Sequence, residues 1–358
     1  MIQNELTKRG TLSVHDFMQL ALTDPDDGYY TTHLPIGKDG DFVTAPEISQ
    51  CFGELVGLWC VLLWQQMGKP ESFILAECGP GYGTLMKDLI RGTSHAPGFY
   101  EAMQVALIEI SPRLKAQQAK TLHRKHPHIH WYDSVDQLPK QPLILIANEF
   151  FDALPIHQFV YKDTGWCERH VRMQNTAPIF VDLPTTTVPI QKQLPQGSII
   201  ETCPQGIQAL NSIDYHIGMH GGGALIIDYG YTKAHTHKST LQAVKQHQYH
   251  DILSEIGTAD LTAHVDFDTL LQNLNHCHGW GPITQGQLLY ELGIDLRVNQ
   301  LAATSTTSQR QLLYSAKERL IGAKQMGTLF KAIALTSIAL SAPFAFTNTQ
   351  GSSSHEAA

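Results

Sequence analysis

The chain has 358 residues, 42% hydrophobic and 16% charged, with a net charge of −8. That is enough for one large or two ordinary globular domains with a well-buried core. The acidic balance, without any dense Lys/Arg run, excludes a general nucleic-acid binder, and no apolar run is long and unbroken enough for a membrane span. Six scattered cysteines form no CxxC pair, which excludes a zinc-ribbon site or a disulfide framework and fits free thiols in a reducing compartment. MIQNELTKRG carries neither the apolar core of a secretory signal nor an Arg-rich transit pattern, so the expected location is cytoplasmic.

Residues 1–70 read as a helical cap. LSVHDFMQLALTDP has a helical period stopped by Pro25, and ISQCFGELVGLWCVLLWQQMG has a second one ended by Gly68. Between them, YYTTHLPIGKDGDFVTAPE is too rich in Gly and Pro for a regular element. The run LVGLWCVLLW (55–64) suits a homodimer interface as well as a core. From residue 73, apolar strands alternate with helical segments: FILAEC then TLMKDLIRG, QVALIEI then PRLKAQQAKTLHRK, HIHWY, and PLILIANEF. This rhythm predicts a parallel sheet covered on both faces, with 71–154 as its first part. Residues 155–218 break the rhythm with scattered Val, Thr and Pro and read as a strand-containing insertion. The second part, 219–340, holds ALIIDYG, a helix near VDFDTLLQNLNHC, a strand at WGPITQ, a helix at SQRQLLYSAKERLI and a last strand at LFKAIALTS. The segment 341–358, ending NTQGSSSHEAA, reads as a disordered tail.

ILAECGPGYGTLMKDLIR (74–91) sets Gly79, Gly81 and Gly83 between a strand and a helix. A Walker loop needs GxxxxGK[ST], and no Lys follows Gly83; the dinucleotide fingerprint GxGxxG needs its third glycine where Thr84 stands. Taken alone, the loop divides evenly between a ligand site and a plain strand-to-helix turn. ExGxGxG is, however, the pattern of class I S-adenosylmethionine (SAM) methyltransferases. There the glycines admit the amino-acid end of the ligand, and Glu77 can balance its ammonium. Glu109 ends the second strand, where a carboxylate accepts ribose hydroxyls, although NAD enzymes share that acid. Asp133 ends the third strand, where an acid can accept from the adenine amino group.

GDFVTAPEISQCFGELVG, ECGPGYGTLMKDLIR, EISPRLKAQQ, ANEFFDALPIHQF, ALIIDYG, DLTAHVDF and MGTLFK occur together and in order over nearly the whole chain. This set resembles the MidA-like family of SAM-dependent methyltransferases, whose mitochondrial members are protein arginine methyltransferases that assist assembly of respiratory complex I. The resemblance implies a class I fold: a Rossmann-like seven-stranded, mostly parallel sheet with an antiparallel last strand, an N-terminal helical cap and an insertion after the fourth strand. It also implies SAM as cofactor and a protein substrate, in the family a complex I subunit. One departure is Tyr82, where relatives often carry Arg in the glycine loop.

An arginine nucleophile is cationic, so a site that methylates it needs carboxylates to hold and orient it. NEFFDALP supplies Glu149 and Asp152 after the fourth strand, with Asn148 beside them to position substrate or cofactor. His264, in DLTAHVDF, is a lesser candidate as proton acceptor. Thr44 and Glu47, in TAPEISQ, are the polar candidates of a lid over the cofactor, and they equally fit a helix N-terminus with a capping box. His276 and His278 have no second ligand pair, and methyl transfer from SAM needs no metal. The rival readings are a methyltransferase of a small molecule or another protein side chain, a non-catalytic SAM-binding assembly chaperone and, least favoured, an NAD-linked dehydrogenase.

Overall fold

The computed structural model describes residues 2–32, 44–175, 177–187, 194–232 and 238–347. They fall into two compact units, one drawn from the segments 1–43, 152–208 and 232–264, the other from 44–151, 209–231 and 265–358.

The second unit is built on a sheet of β1 (Phe73–Cys78), β2 (Met103–Ile108), β3 (Ile129–Tyr132), β4 (Leu143–Asn148), β5 (Gly222–Tyr231), β6 (Cys277–Thr284) and β7 (Phe330–Ser337), in the order β6-β7-β5-β4-β1-β2-β3. The strands from β5 to β3 pair in parallel, whereas β7 runs antiparallel between β5 and β6. A two-residue strand, Val265–Asp266, pairs with the end of β5. Every residue of β1 and of β4 is buried, as strands covered on both faces require. The chain winds outward in one direction from β1 and in the other from β4, so the switch point, where ligands bind in open α/β sheets, lies at the carboxyl ends of these two strands.

The helix Gln50–Gln66 belongs with this sheet rather than with residues 1–32. It lies so close to the helix Thr84–Thr93 that a Cβ on Gly53 would stand 2.7 Å from the Cβ of Asp88. Glu54, between the close glycines Gly53 and Gly57, takes ion pairs from Arg91 (2.9 Å) and Arg297 (2.7 Å). The apolar run 55–64 is core: Leu55, Val56, Trp59, Cys60, Leu63 and Trp64 are buried, and Leu58 is its exposed large side chain. Fully burying one such side chain contributes about 1.5–3 kcal/mol. Segment 341–347 also departs from the sequence reading, because Phe346 is fully buried in the same core. Residues 348–358 lie outside the described residues.

The first unit is mainly antiparallel. Its sheet runs Thr11–Ser13, Gly165–Gln174, His157–Lys162, Ile199–Thr202, with Ala177–Pro184 also on Gly165–Gln174. Residues 155–218 thus do contain strands, but they share a sheet with the N-terminus. A three-stranded sheet, Gln248–His250, Gln242–Lys245 and Asp260–Thr262, comes from a further excursion after β5. That excursion has no apolar run to announce it. The core of this unit joins Phe17, Met18, Leu22 and Tyr29 to Ile156, Val171 and Leu261. No helix among the described residues is long and apolar enough to cross a membrane.

Candidate functional site

The glycine loop follows β1. Gly79, Gly81 and Gly83 all have left-handed backbones (φ 60, 54 and 78°), which side chains with a Cβ resist. At Gly79 there is also no room, since a Cβ would stand 3.0 Å from the ring of Phe150. Gly83 is the N-cap of the helix Thr84–Thr93 and offers no side-chain cap. Glu77, 3% exposed, supplies one instead, accepting the backbone N–H of Met86 in the first turn. Its other oxygen, Oε2, has no hydrogen-bond partner among the described residues. Burial pushes the Glu77 carboxyl up to about 8, against a weaker opposing effect of the Met86 bond. A buried acid oxygen left unmet at the switch point fits a cationic ligand group such as the ammonium of SAM.

Glu109 follows β2 and is buried. Its Oε1 accepts the N–H of Ser111 (2.8 Å) and its Oε2 accepts Nε2 of Gln118 (3.1 Å). Burial raises its carboxyl, with the Ser111 and Gln118 bonds acting the other way. Asp133 directly follows Tyr132, whose carbonyl accepts the N–H of Glu109 (3.0 Å). Its side chain is 63% exposed and pairs with Lys115 at 2.6 Å, because β3 is an edge strand whose end faces solvent.

Asn148 ends β4, buried, with Nδ2 donating to Glu149 Oε1 (3.2 Å) and Oδ1 unmet among the described residues. Glu149 has φ 51°, a left-handed backbone that glutamate seldom adopts, and its N–H donates to Ile227 of β5 (2.9 Å). Strain of this kind, about 1–3 kcal/mol, persists where surrounding bonds over-determine it and marks functional positions. Glu149 Oε1 also accepts the N–H of Ala45 (3.2 Å), which ties the TAPEISQ segment to this strand end through its backbone. Thr44 is the N-cap of the one-turn helix Ala45–Ile48, but its side chain makes no cap bond, so the capping box with Glu47 is absent. The Thr44 carbonyl instead takes the N–H groups of Glu47 and Ile48 (2.9 and 3.2 Å), and Ser49 caps the next helix. Residues 33–43 lie outside the described residues.

Sequence reasoning missed Asp228, fully buried within β5. Its Oδ2 accepts the N–H of Phe151 (3.1 Å) and its Oδ1 that of Tyr229 (2.9 Å), holding the turn after Glu149. The signal was present: an acid inside the otherwise apolar ALIIDYG. Gln118 was missed too, although Leu114 and Gln118 share a helical face and both are buried.

Glu149 closes a strand end of the second unit, whereas Asp152 opens a segment of the first. There Asp152 is 5% exposed and its carbonyl accepts the N–H of Ala263 (2.9 Å). The Tyr30 hydroxyl donates to both oxygens of Asp260 (2.9 and 3.1 Å). Burial first, then the charges of Asp260 and Asp152, push that hydroxyl well above its ordinary range. His264 binds Thr240 Oγ1 through its backbone N–H (2.9 Å). Among the described residues no three His, Cys, Asp or Glu are grouped to hold a metal ion.

The strand order, the glycine loop and the acids Glu77 and Glu109 define a class I methyltransferase. A model of S-adenosyl-L-methionine-dependent methyltransferases matches residues 55–284. The mitochondrial protein arginine methyltransferase NDUFAF7 of Xenopus tropicalis is 35% identical, covering 91% of this chain and 83% of its own. The Homo sapiens protein of that name is 33% identical, over 92% and 81%. A Burkholderia thailandensis protein solved with S-adenosyl-homocysteine is 26% identical with a TM-score of 0.82, covering 97% of this chain and 93% of that one. The chain belongs to this family of SAM-dependent methyltransferases, the family its motifs resemble.

Proposed function

We propose that the protein methylates an arginine side chain of a protein substrate, at the expense of SAM. The observation that carries this reading is 35% identity, over 91% of the chain, to a relative named as a protein arginine methyltransferase. SAM supplies an electrophilic methyl on a sulfonium, and the chain's own residues hold the acceptor. A guanidinium, with a pKa of about 12.5 or more, stays charged in solution and is held by carboxylates. Glu149 is the first of these: its backbone is fixed by Ile227, and its Oε1 is oriented by Ala45 and Asn148. Asp152 is the second carboxylate, and His264 the candidate proton acceptor. The substrate we propose, from the family resemblance, is a subunit of respiratory NADH dehydrogenase. The compartment we propose is the cytoplasm, in keeping with six cysteines that are all unpaired.

The test is transfer of labelled methyl from SAM into protein from cells lacking this chain, with methylarginine mapped by mass spectrometry. Label on an arginine of an NADH dehydrogenase subunit is the expected result. Glu149→Gln should lower turnover by about 100-fold while S-adenosyl-homocysteine affinity stays within about threefold, as for a group that acts on the acceptor. Label only in small molecules would replace the protein substrate, and binding without any transfer would leave a non-catalytic binder.

A further inference from the structure

Gln118 is fully buried on the helix Pro112–Thr121, and all of its hydrogen-bonding groups face the cofactor-side scaffold. One Nε2 hydrogen goes to the carbonyl of Gly81 (2.9 Å) and the other to Glu109 Oε2 (3.1 Å). Oε1 accepts the indole N–H of Trp131 on β3 (2.9 Å). Trp131 can only donate, and the carbonyl and carboxylate can only accept, so the carboxamide has one workable orientation. The same helix passes so near the loop that a Cβ on Gly83 would meet the Cα of Gln118 at 3.7 Å. Pinning the Gly81 carbonyl also fixes the N–H of Tyr82, which a trans peptide points the opposite way. One neutral side chain therefore sets the direction of both the ribose acid and the middle of the glycine loop.

We propose that Gln118 is a positioning residue that couples the two ends of the cofactor site, holding Glu109 and the Gly81 turn in one register for SAM. The proposal rests on reading Glu109 as the ribose acid. Glu109 is also acted on by the backbone N–H groups of Ser111 and Ile110 and by the charge of Lys115. A buried carboxamide that satisfies two acceptors and one donor cannot be replaced by an apolar group without leaving all three unmet.

The experiment is calorimetry of the full chain with S-adenosyl-homocysteine and with adenosine, which has the ribose but no amino-acid end. Gln118→Met should weaken S-adenosyl-homocysteine by about 100-fold and adenosine by only about 10-fold. Equal losses for both ligands would confine Gln118 to the ribose end and overturn the coupling. Gln118→Glu, nearly isosteric, guards against simple misfolding. Its protonated form keeps a single donor, enough for Glu109 or for the Gly81 carbonyl but not both, while its ionised form repels Glu109. The affinity of Gln118→Glu relative to the parent should therefore be about 10-fold lower at pH 5.5 and fall by about a further 30-fold or more by pH 8. A deficit independent of pH would mark Gln118 as merely structural and overturn the proposal. Glu109→Gln separates the two readings: no loss of S-adenosyl-homocysteine affinity would remove the ribose acid itself. Loss with Glu109→Gln but none with either Gln118 variant would remove only the positioning role.

Discussion

Two groups of buried polar side chains, one in each unit, are satisfied in different ways. In the sheet unit, Glu77 and Asn148 stand at adjacent strand ends, each with an oxygen unmet among the described residues. In the other unit, Glu201 accepts from Gln158 (2.7 Å) and from the backbone of Thr240 (2.9 Å), and the Thr240 hydroxyl both donates to Glu201 and accepts from His264. The Glu77–Asn148 pair is open toward a ligand and the Glu201–Thr240 network closes on itself, although the second network's unit also leaves Ser198 Oγ and His250 Nε2 without a hydrogen bond among the described residues. An unmet atom is not sufficient evidence, since Trp59 and Gln285 also leave one. What distinguishes Glu77 and Asn148 is their place at the switch point, beside a loop of left-handed glycines.

The largest expected effect that would test this contrast is at Gly81. Gly81→Val puts a β-branched residue at φ 54° and should reduce S-adenosyl-homocysteine binding by about 100-fold or more, with the circular dichroism spectrum retained. Normal binding by that variant would show that the loop does not hold the ligand.

Glu77→Gln is next, with a loss of about 10- to 100-fold and a proton signature. The parent's Glu77 is mostly protonated at pH 7 because burial pushes it up to about 8. A neighbouring ammonium favours the carboxylate, so binding at pH 7 should release close to one proton. Calorimetry in buffers of different ionisation enthalpy reads that proton, and Glu77→Gln should abolish it. The ligand-free parent holds more protons folded than unfolded between pH 4.5 and about 8, so this group's contribution to stability should fall as pH rises through that window. A proton count near zero for the parent would place the ammonium elsewhere.

Thr240→Val strikes the closed network and should act on stability alone, by about 1–3 kcal/mol read from denaturant midpoints, with ligand affinity unchanged. If affinity fell with it, the contrast between open and closed groups would not hold. The smallest effect belongs to Asp133→Asn. An exposed ion pair is worth about 0.2–1 kcal/mol, so stability should fall by no more than that and affinity should move by less than about fivefold. A large loss would return Asp133 to the adenine site.

Much of the sheet was legible because its strands are short apolar runs punctuated by glycine and proline, and because Glu77 and Glu109 sit where such runs end. The excursion 232–264 was not. Strands such as Gln248–His250 are polar and short, and only pairing with a neighbour distant in sequence makes them strands. The joining of Thr11–Ser13 to Gly165–Gln174 was invisible for the same reason. Among candidate site residues, the motifs pointed to acids and to Asn148, but not to Gln118 or Asp228. Gln118 and Asp228 act through geometry between elements, which spacing along the chain does not encode. Asp133 follows an edge strand, and its side chain is 63% exposed beside Lys115.

The antiparallel β7 has a consequence for how the chain comes to be folded. It is the last of the described strands in chain order, yet it occupies an interior place, between β5 and β6. Until residues 330–337 emerge, β6 lacks its one partner among the described strands of this sheet, and β5 is bare on that side. The nascent chain therefore carries a nearly finished sheet with a slot in it, open to any extended segment that arrives first. A chain cut before residue 330 would keep its glycine loop and strand-end acids and lose the eight-residue strand that joins β5 to β6.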